Sequence, residues 1–155
     1  MIKDKKMING AIQSLEGYLV QFPLILKRLE LSDLEYKQSK DKWSKKEILG
    51  HLVDSATNNL TRFITGQFQD NPTVLYDQVS WCTANYYQKA DLGHMIALWE
   101  CLNRQLLFIC NQLTPEILSR KVNGNTLEFL INDYISHFEH HLRQITVKKY
   151  EIDEM

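Results

Sequence analysis

Apolar positions return at intervals of three and four along most of the chain, the mark of helices that bury one side. In residues 7–31 the stripe is Ile8, Ala11, Ile12, Leu15, Leu19, Phe22, Leu26 and Leu29. Pro23 falls inside it and predicts a kink or a break, because proline lacks a backbone donor and clashes with the preceding turn. Residues 32–42 are polar, a connection with room for one turn. Trp43-Ser44-Lys45-Lys46-Glu47-Ile48 is the clearest helix start. Ser44 and Glu47 have the spacing of a capping box, and Trp43 and Ile48 that of a hydrophobic staple. The helix that follows is expected to reach about Phe68, with Ile48, Leu49, Leu52, Val53, Ala56, Leu60, Phe63 and Ile64 on its apolar face.

Asn71-Pro72 ends that helix, and residues 71–80 read as a loop before the aromatic group Trp81, Tyr86 and Tyr87. Residues 91–112 form a third long stripe. Thr114-Pro115-Glu116 announces a short helix, and Asn123-Gly124 a tight turn. A last helix, capped by Asn125 or Thr126 with Glu128 as the partner of an Asn125 box, is expected to run to about Lys149. Its centre line is Leu127, Ile131, Tyr134, Phe138, Leu142 and Ile145. No alternating segment of useful strand length is present. The pattern describes an all-α protein: a four-helix bundle whose long loops require crossover connections, with residues 1–155 as a single domain.

Composition narrows the function classes. Apolar residues make up 44% and charged residues 24%, with 18 basic against 19 acidic side chains, so the net charge is -1. Charge of both signs is well mixed, and no basic field suited to nucleic acid is visible. Lys3 to Lys6, interrupted by Asp4, reads as a solvated end. No apolar run of membrane-spanning length and no apolar leader core appears, so the expectation is a cytoplasmic protein with neither nucleic-acid nor membrane partners. Cys82, Cys101 and Cys110 have no paired-ligand spacing. Cys101 and Cys110 read as small core residues.

The chemistry-bearing stretch is Ile135-Ser136-His137-Phe138-Glu139-His140-His141-Leu142, which holds three of the five histidines. His137 and His141 stand one helical turn apart on one flank and can offer two imidazoles to one ion. A useful divalent site needs a third protein ligand. His51 lies on the second long helix, off the centre of its apolar face, on the side that carries Glu47, Asp54, Ser55, Asn58 and Arg62. That side either faces solvent, which periodicity alone favours, or lines a cleft between helices. His94 has no partner histidine and reads as a surface or cap residue.

Taken together, several segments resemble the DinB-like superfamily, which is distinct from the Y-family polymerase of the same label. They are Trp43-Ser44 leading into Lys46-Glu47-Ile48-Leu49-Gly50-His51-Leu52-Val53-Asp54-Ser55, then Arg62-Phe63, then Tyr76-Asp77 with Trp81, and finally His137 to His141-Leu142 with Gln144-Ile145. The likeness runs from Trp43 to Ile145, and the first helix fits more loosely. It implies a four-helix bundle in which His51, His137 and His141 meet around a divalent ion, zinc, nickel, manganese or iron, with the remaining positions for water or substrate. This reverses the solvent reading of His51.

Asp54 and Asp133 then become candidates for catalytic or imidazole-orienting roles. Arg62, Tyr76 and Trp81 are candidates for binding a cosubstrate, with the Tyr76–Tyr87 segment as a pocket wall. The activity implied is a thiol S-transferase that activates a low-molecular-weight thiol on the ion and attacks a small electrophile. The alternatives are a metal-dependent hydrolase of a small substrate, and a non-catalytic metal- or ligand-binding protein of a stress response. The resemblance also suggests a homodimer, for which Tyr18, Trp99 and Phe108 are the candidate contact aromatics.

Overall fold

The computed structural model describes residues 2–147. The expected end of the last helix at Lys149 lies outside them, and the side chains of Lys3 to Lys6 lie outside those described. Four long helices form the body: α1 (Ile2–Arg28), α3 (Lys45–Thr65), α5 (Leu92–Gln112) and α7 (Leu127–Thr146). Three short ones, α2 (Leu31–Glu35), α4 (Gln78–Ala84) and α6 (Pro115–Leu118), sit in the connections. Helix α5 packs on α1 and α3, and α7 packs on the same two from the other side. Consecutive long helices are therefore mainly diagonal rather than adjacent, which is why the connections 29–44 and 113–126 must cross the bundle.

The helix starts follow the chemistry legible in the chain. Ser44 Oγ accepts from Glu47 N–H at 3.0 Å and Glu47 Oε1 accepts from Ser44 N–H at 3.1 Å, closing the capping box of α3. Thr114 caps α6 ahead of Pro115. Thr126, not an Asn125–Glu128 box, caps α7 by accepting from Phe129 N–H. Helix α1 is continuous through Pro23 rather than broken. One backbone bond is lost there, but Phe22 and Leu26 on either side are fully buried, and packing carries the helix past the proline.

Other expectations are corrected. Helix α3 ends at Thr65, short of Phe68. Residues 78–80 belong to α4, begun by the Asp77 carboxylate accepting from Ser80 N–H, so the loop read over 71–80 ends at Asp77. A two-residue hairpin, β1 (Lys121–Val122) with β2 (Asn125–Thr126), brackets the Asn123-Gly124 turn, whose φ values are 54° and 79°. Cys110 is buried as expected, but Cys101 is exposed. Trp99, proposed as a contact aromatic, is fully enclosed in the core, whereas Phe108 is exposed.

The interior divides into two apolar clusters along the bundle. One is centred on Ile12, Leu15, Phe63, Leu106 and Ile131, the other on Phe22, Leu26, Leu49, Trp99 and Phe138. In the second, Phe22 and Phe138 meet edge to face with centroids 5.1 Å apart, and Trp99 packs on both. The histidines lie at this end.

Candidate metal centre

Helix α3 is buried around most of its circumference, because it touches α5, α7, α2, α4 and a 3-10 turn at Tyr87–Lys89. Its polar flank is therefore interior. His51, Asp54, Ser55 and Asn58 are all buried, which overturns the solvent reading that periodicity favoured and agrees with the resemblance. His51 projects toward α7. There His137 and His141, one turn apart, turn their rings to meet it.

The three Nε2 atoms converge. His51 Nε2 and His141 Nε2 each lie 3.1 Å from His137 Nε2. One ligand atom from each residue falls within 4.8 Å of the others. At Zn–N lengths of ~2.0–2.1 Å, two nitrogens on one ion stand about 3.0 Å apart at right angles and about 3.4 Å apart in a tetrahedron. The two spacings to His137 lie between these values. Hydrogen bonding alone does not account for it. His137 Nε2 carries either one N–H or one in-plane lone pair, which cannot be directed at both neighbours, so at least one of the two contacts is left without a proper hydrogen bond. A shared cation satisfies all three, and the donor set fits a first-row divalent ion.

The environment keeps these rings neutral, the state a ligand needs. Burial first, then His141 and His137, push the His51 pKa down to about 3. Burial and His141 push His137 down to about 4, against the opposing field of Asp133. Burial also lowers His141. His141 is oriented from behind: its Nδ1–H donates to Gln144 Oε1 at 2.7 Å, which leaves the Nε2 lone pair facing the other two rings. The Trp43 ring lies over His51 with centroids 4.9 Å apart. His51 Nδ1 is buried without a hydrogen-bond partner among the described residues.

The other candidate residues divide clearly. Asp54 does not reach His51 Nδ1. Its Oδ1 accepts from Tyr87 O–H at 2.6 Å and Asn85 Nδ2–H at 3.1 Å, and burial raises its pKa to about 6. Tyr87 reaches it by crossing Gly50, where an added Cβ would lie 2.1 Å from the tyrosine ring. Asp133 is exposed and reaches His137 through its field only. Arg62, eleven residues beyond His51 and so about 16 Å along the helix, spends its guanidinium on Val74 O and Asn59 Oδ1. Tyr76 and Trp81 pack on each other, with centroids 5.4 Å apart.

An open cavity of about 540 Å³ borders the centre at His141. Its apolar walls are Tyr36, Trp43, Ile48, Val79 and Val147, with Gln38 and Gln144 among its polar groups. Of the Tyr76–Tyr87 segment, only Val79 contributes. The wall is instead the end of the polar connection 32–42 with Trp43 and the first turn of α3. It is fastened by Lys37–Glu47 at 2.6 Å, Lys45–Asp33 at 2.9 Å and Lys46–Glu35 at 3.3 Å. The basic-acidic alternation of residues 33–47 was the available signal.

A helical bundle with a three-histidine cluster drawn from two facing helices defines the class of protein. No protein-family model matches the chain. Over 149 residues it is 25% identical to YfiT of Bacillus subtilis, provisionally named a metal-dependent hydrolase, covering 92% of this chain and 84% of that protein. A similarly named Bacillus cereus protein is 26% identical over 148 residues, covering 92% and 85%. The solved structure of Bacillus subtilis YfiT, described as a four-helix bundle of unusual topology, superposes with a TM-score of 0.81 at 24% identity, over 89% of this chain and 83% of that one. The chain thus shares the four-helix-bundle fold of YfiT and is similar in sequence to these DinB/YfiT-like proteins along most of its length.

Proposed function

We propose that this protein is a metal-dependent hydrolase of a small substrate, with His51, His137 and His141 as its metal ligands. The observation that carries the reading is the convergence of three neutral Nε2 atoms beside an open cavity. The names of the relatives point to the same reaction class. A divalent ion held there supplies a Lewis acid that polarises a carbonyl and acidifies water. The chain's own residues do the rest. The three imidazoles hold the ion through lone pairs kept free of protons by burial. Gln144 fixes the tautomer of His141, Trp43 shields one face of His51, and the cavity admits the substrate from the His141 side.

The thiol S-transferase implied by the resemblance would use the same ligands but would need a thiol for turnover. Metal analysis of untagged protein, with His51→Ala, His137→Ala and His141→Ala alongside, tests the centre. About one first-row ion per chain is expected in the wild type, with loss in each variant. Hydrolysis of model esters and amides by the loaded protein should then proceed without added thiol. Failure to take up zinc, nickel or manganese at micromolar concentrations overturns the centre, and turnover that requires a thiol overturns hydrolysis.

A further inference from the structure

We infer that the cavity beside His141 binds the acyl portion of a compact, neutral and mainly apolar carbonyl compound, an amide or ester bearing an aryl or short alkyl group. This names the substrate class for the hydrolytic reading above and rests on it.

Size comes first. About 540 Å³ lies within the ~300–1,000 Å³ of ordinary small-molecule sites. The walls are two aromatic rings, Tyr36 and Trp43, and three aliphatic side chains, Ile48, Val79 and Val147, so the favourable term for a ligand is burial of apolar surface.

The charged groups at the cavity do not provide an anion clamp. Lys45 Nζ, on a nearly fully buried side chain, already donates to Asp33 Oδ2 at 2.9 Å and to Val147 O at 2.5 Å. Lys42 and Asp41 are neighbours of opposite sign, both exposed. A strongly charged ligand would find no uncommitted partner of opposite charge deep in the cavity, and desolvating it there would be costly.

The two carboxamides at the lining decide the polarity of the remaining contact. Gln144 Oε1 is occupied by His141 Nδ1–H, and Gln38 Oε1 by Lys42 Nζ–H at 3.2 Å. Each Oε1 thus already accepts one hydrogen bond, whereas among the described residues neither Nε2 has a partner. What they offer a ligand is N–H, which fits a carbonyl oxygen. Gln144 holds His141 from the Nδ1 side, so a carbonyl held there lies at the border of the cavity with the metal centre, across the imidazole from its Nε2. Hydrolysis of such a compound balances with one water: a new C–O bond forms the acid, the bond to the leaving group breaks, and the departing amine or alcohol takes up a proton.

The test is titration of zinc-loaded protein with benzamide and with glycinamide, followed by backbone amide shifts and by tryptophan fluorescence. Benzamide should shift Trp43, Ile48 and Val79 saturably, at a concentration at least tenfold below any effect of glycinamide. Val79→Asp, at an exposed wall position, should weaken benzamide at least fivefold, and Gln38→Leu should weaken it severalfold. The same titration of metal-free His51→Ala separates the two readings: benzamide should still bind the cavity even if the metal centre is not what it is proposed to be. Equal binding of the two amides, no saturable binding of benzamide, or shifts confined to residues outside this cavity would overturn the inference.

Discussion

His141 is the imidazole whose orientation is most directly specified. Its Nδ1 hydrogen bond to Gln144 lies on the same helix, three residues on, and selects the tautomer that presents Nε2 to its neighbours. Gln144→Leu should therefore lower zinc affinity by about 10–100-fold, the usual cost of losing a partner behind a ligand. The urea midpoint of the metal-free protein should hardly move, since Gln144 is only half-buried. Gln144→Glu, which still accepts from Nδ1–H, should restore most of the affinity. A competition titration against a chelator measures both. Equal losses in the two variants would show that the hydrogen bond is not what matters. The i, i+3 spacing of His141 and Gln144 was in the sequence, but nothing there distinguished an orienting amide from one more polar surface residue.

At the scale of elements, the junction between α3 and the segment after α4 depends on one missing side chain. Gly50 lets Tyr87 lie directly on α3 and donate to Asp54, one turn past His51. Gly50→Ala improves helix propensity by up to ~1 kcal/mol, but its methyl would sit 2.1 Å from the Tyr87 ring. Overpacking of this kind costs about 1–3 kcal/mol. A net loss of stability in urea denaturation is therefore expected, together with exposure of tyrosine. A stabilised variant would mean that Tyr87 swings aside freely and that the contact does not hold the segment. Gly50 was visible in the sequence as part of the family likeness, but the partner that requires it lies 37 positions further on.

For the molecule as a whole, holding one buried and two half-buried imidazoles without charge makes stability depend on pH. The folded pKa values of His51 and His137 are depressed to about 3 and about 4, and His141 is lowered too. Below about 6.5 the unfolded chain takes up protons at these rings that the folded chain refuses, so stability falls as the pH drops. Asp54 acts in the opposite direction. With its folded value raised to about 6, it gains a proton on folding between about 6 and its ordinary value near 3.8 and stabilises the fold there. Three groups against one leave a net loss. The urea midpoint of metal-free protein should thus be lower at pH 5 than at pH 7.5, with a smaller drop in His51→Ala. A flat profile in the wild type would contradict the buried neutral state of the cluster.

The sequence by itself determined the long helices and the capped starts of those after the first. Capping chemistry and three-four periodicity are local, acting within a few residues, so Ser44, Asp91, Thr114 and Thr126 all cap where their side chains allow. It also held the likeness that singled out His51, His137 and His141. Which side of α3 is interior was decided only by the tertiary structure. Periodicity assumes one buried stripe, whereas α3 is enclosed by two long helices and three short elements, so its polar flank became the inside of a site. The cavity wall was decided there too: residues 36–43 carry no periodic signal, and ion pairs, hydrogen bonds to Gln88 and Val147, and the packing of Trp43 on the core fix this segment beside His141. Convergence of groups 86 residues apart is a property of how the helices cross, and no local pattern encodes it.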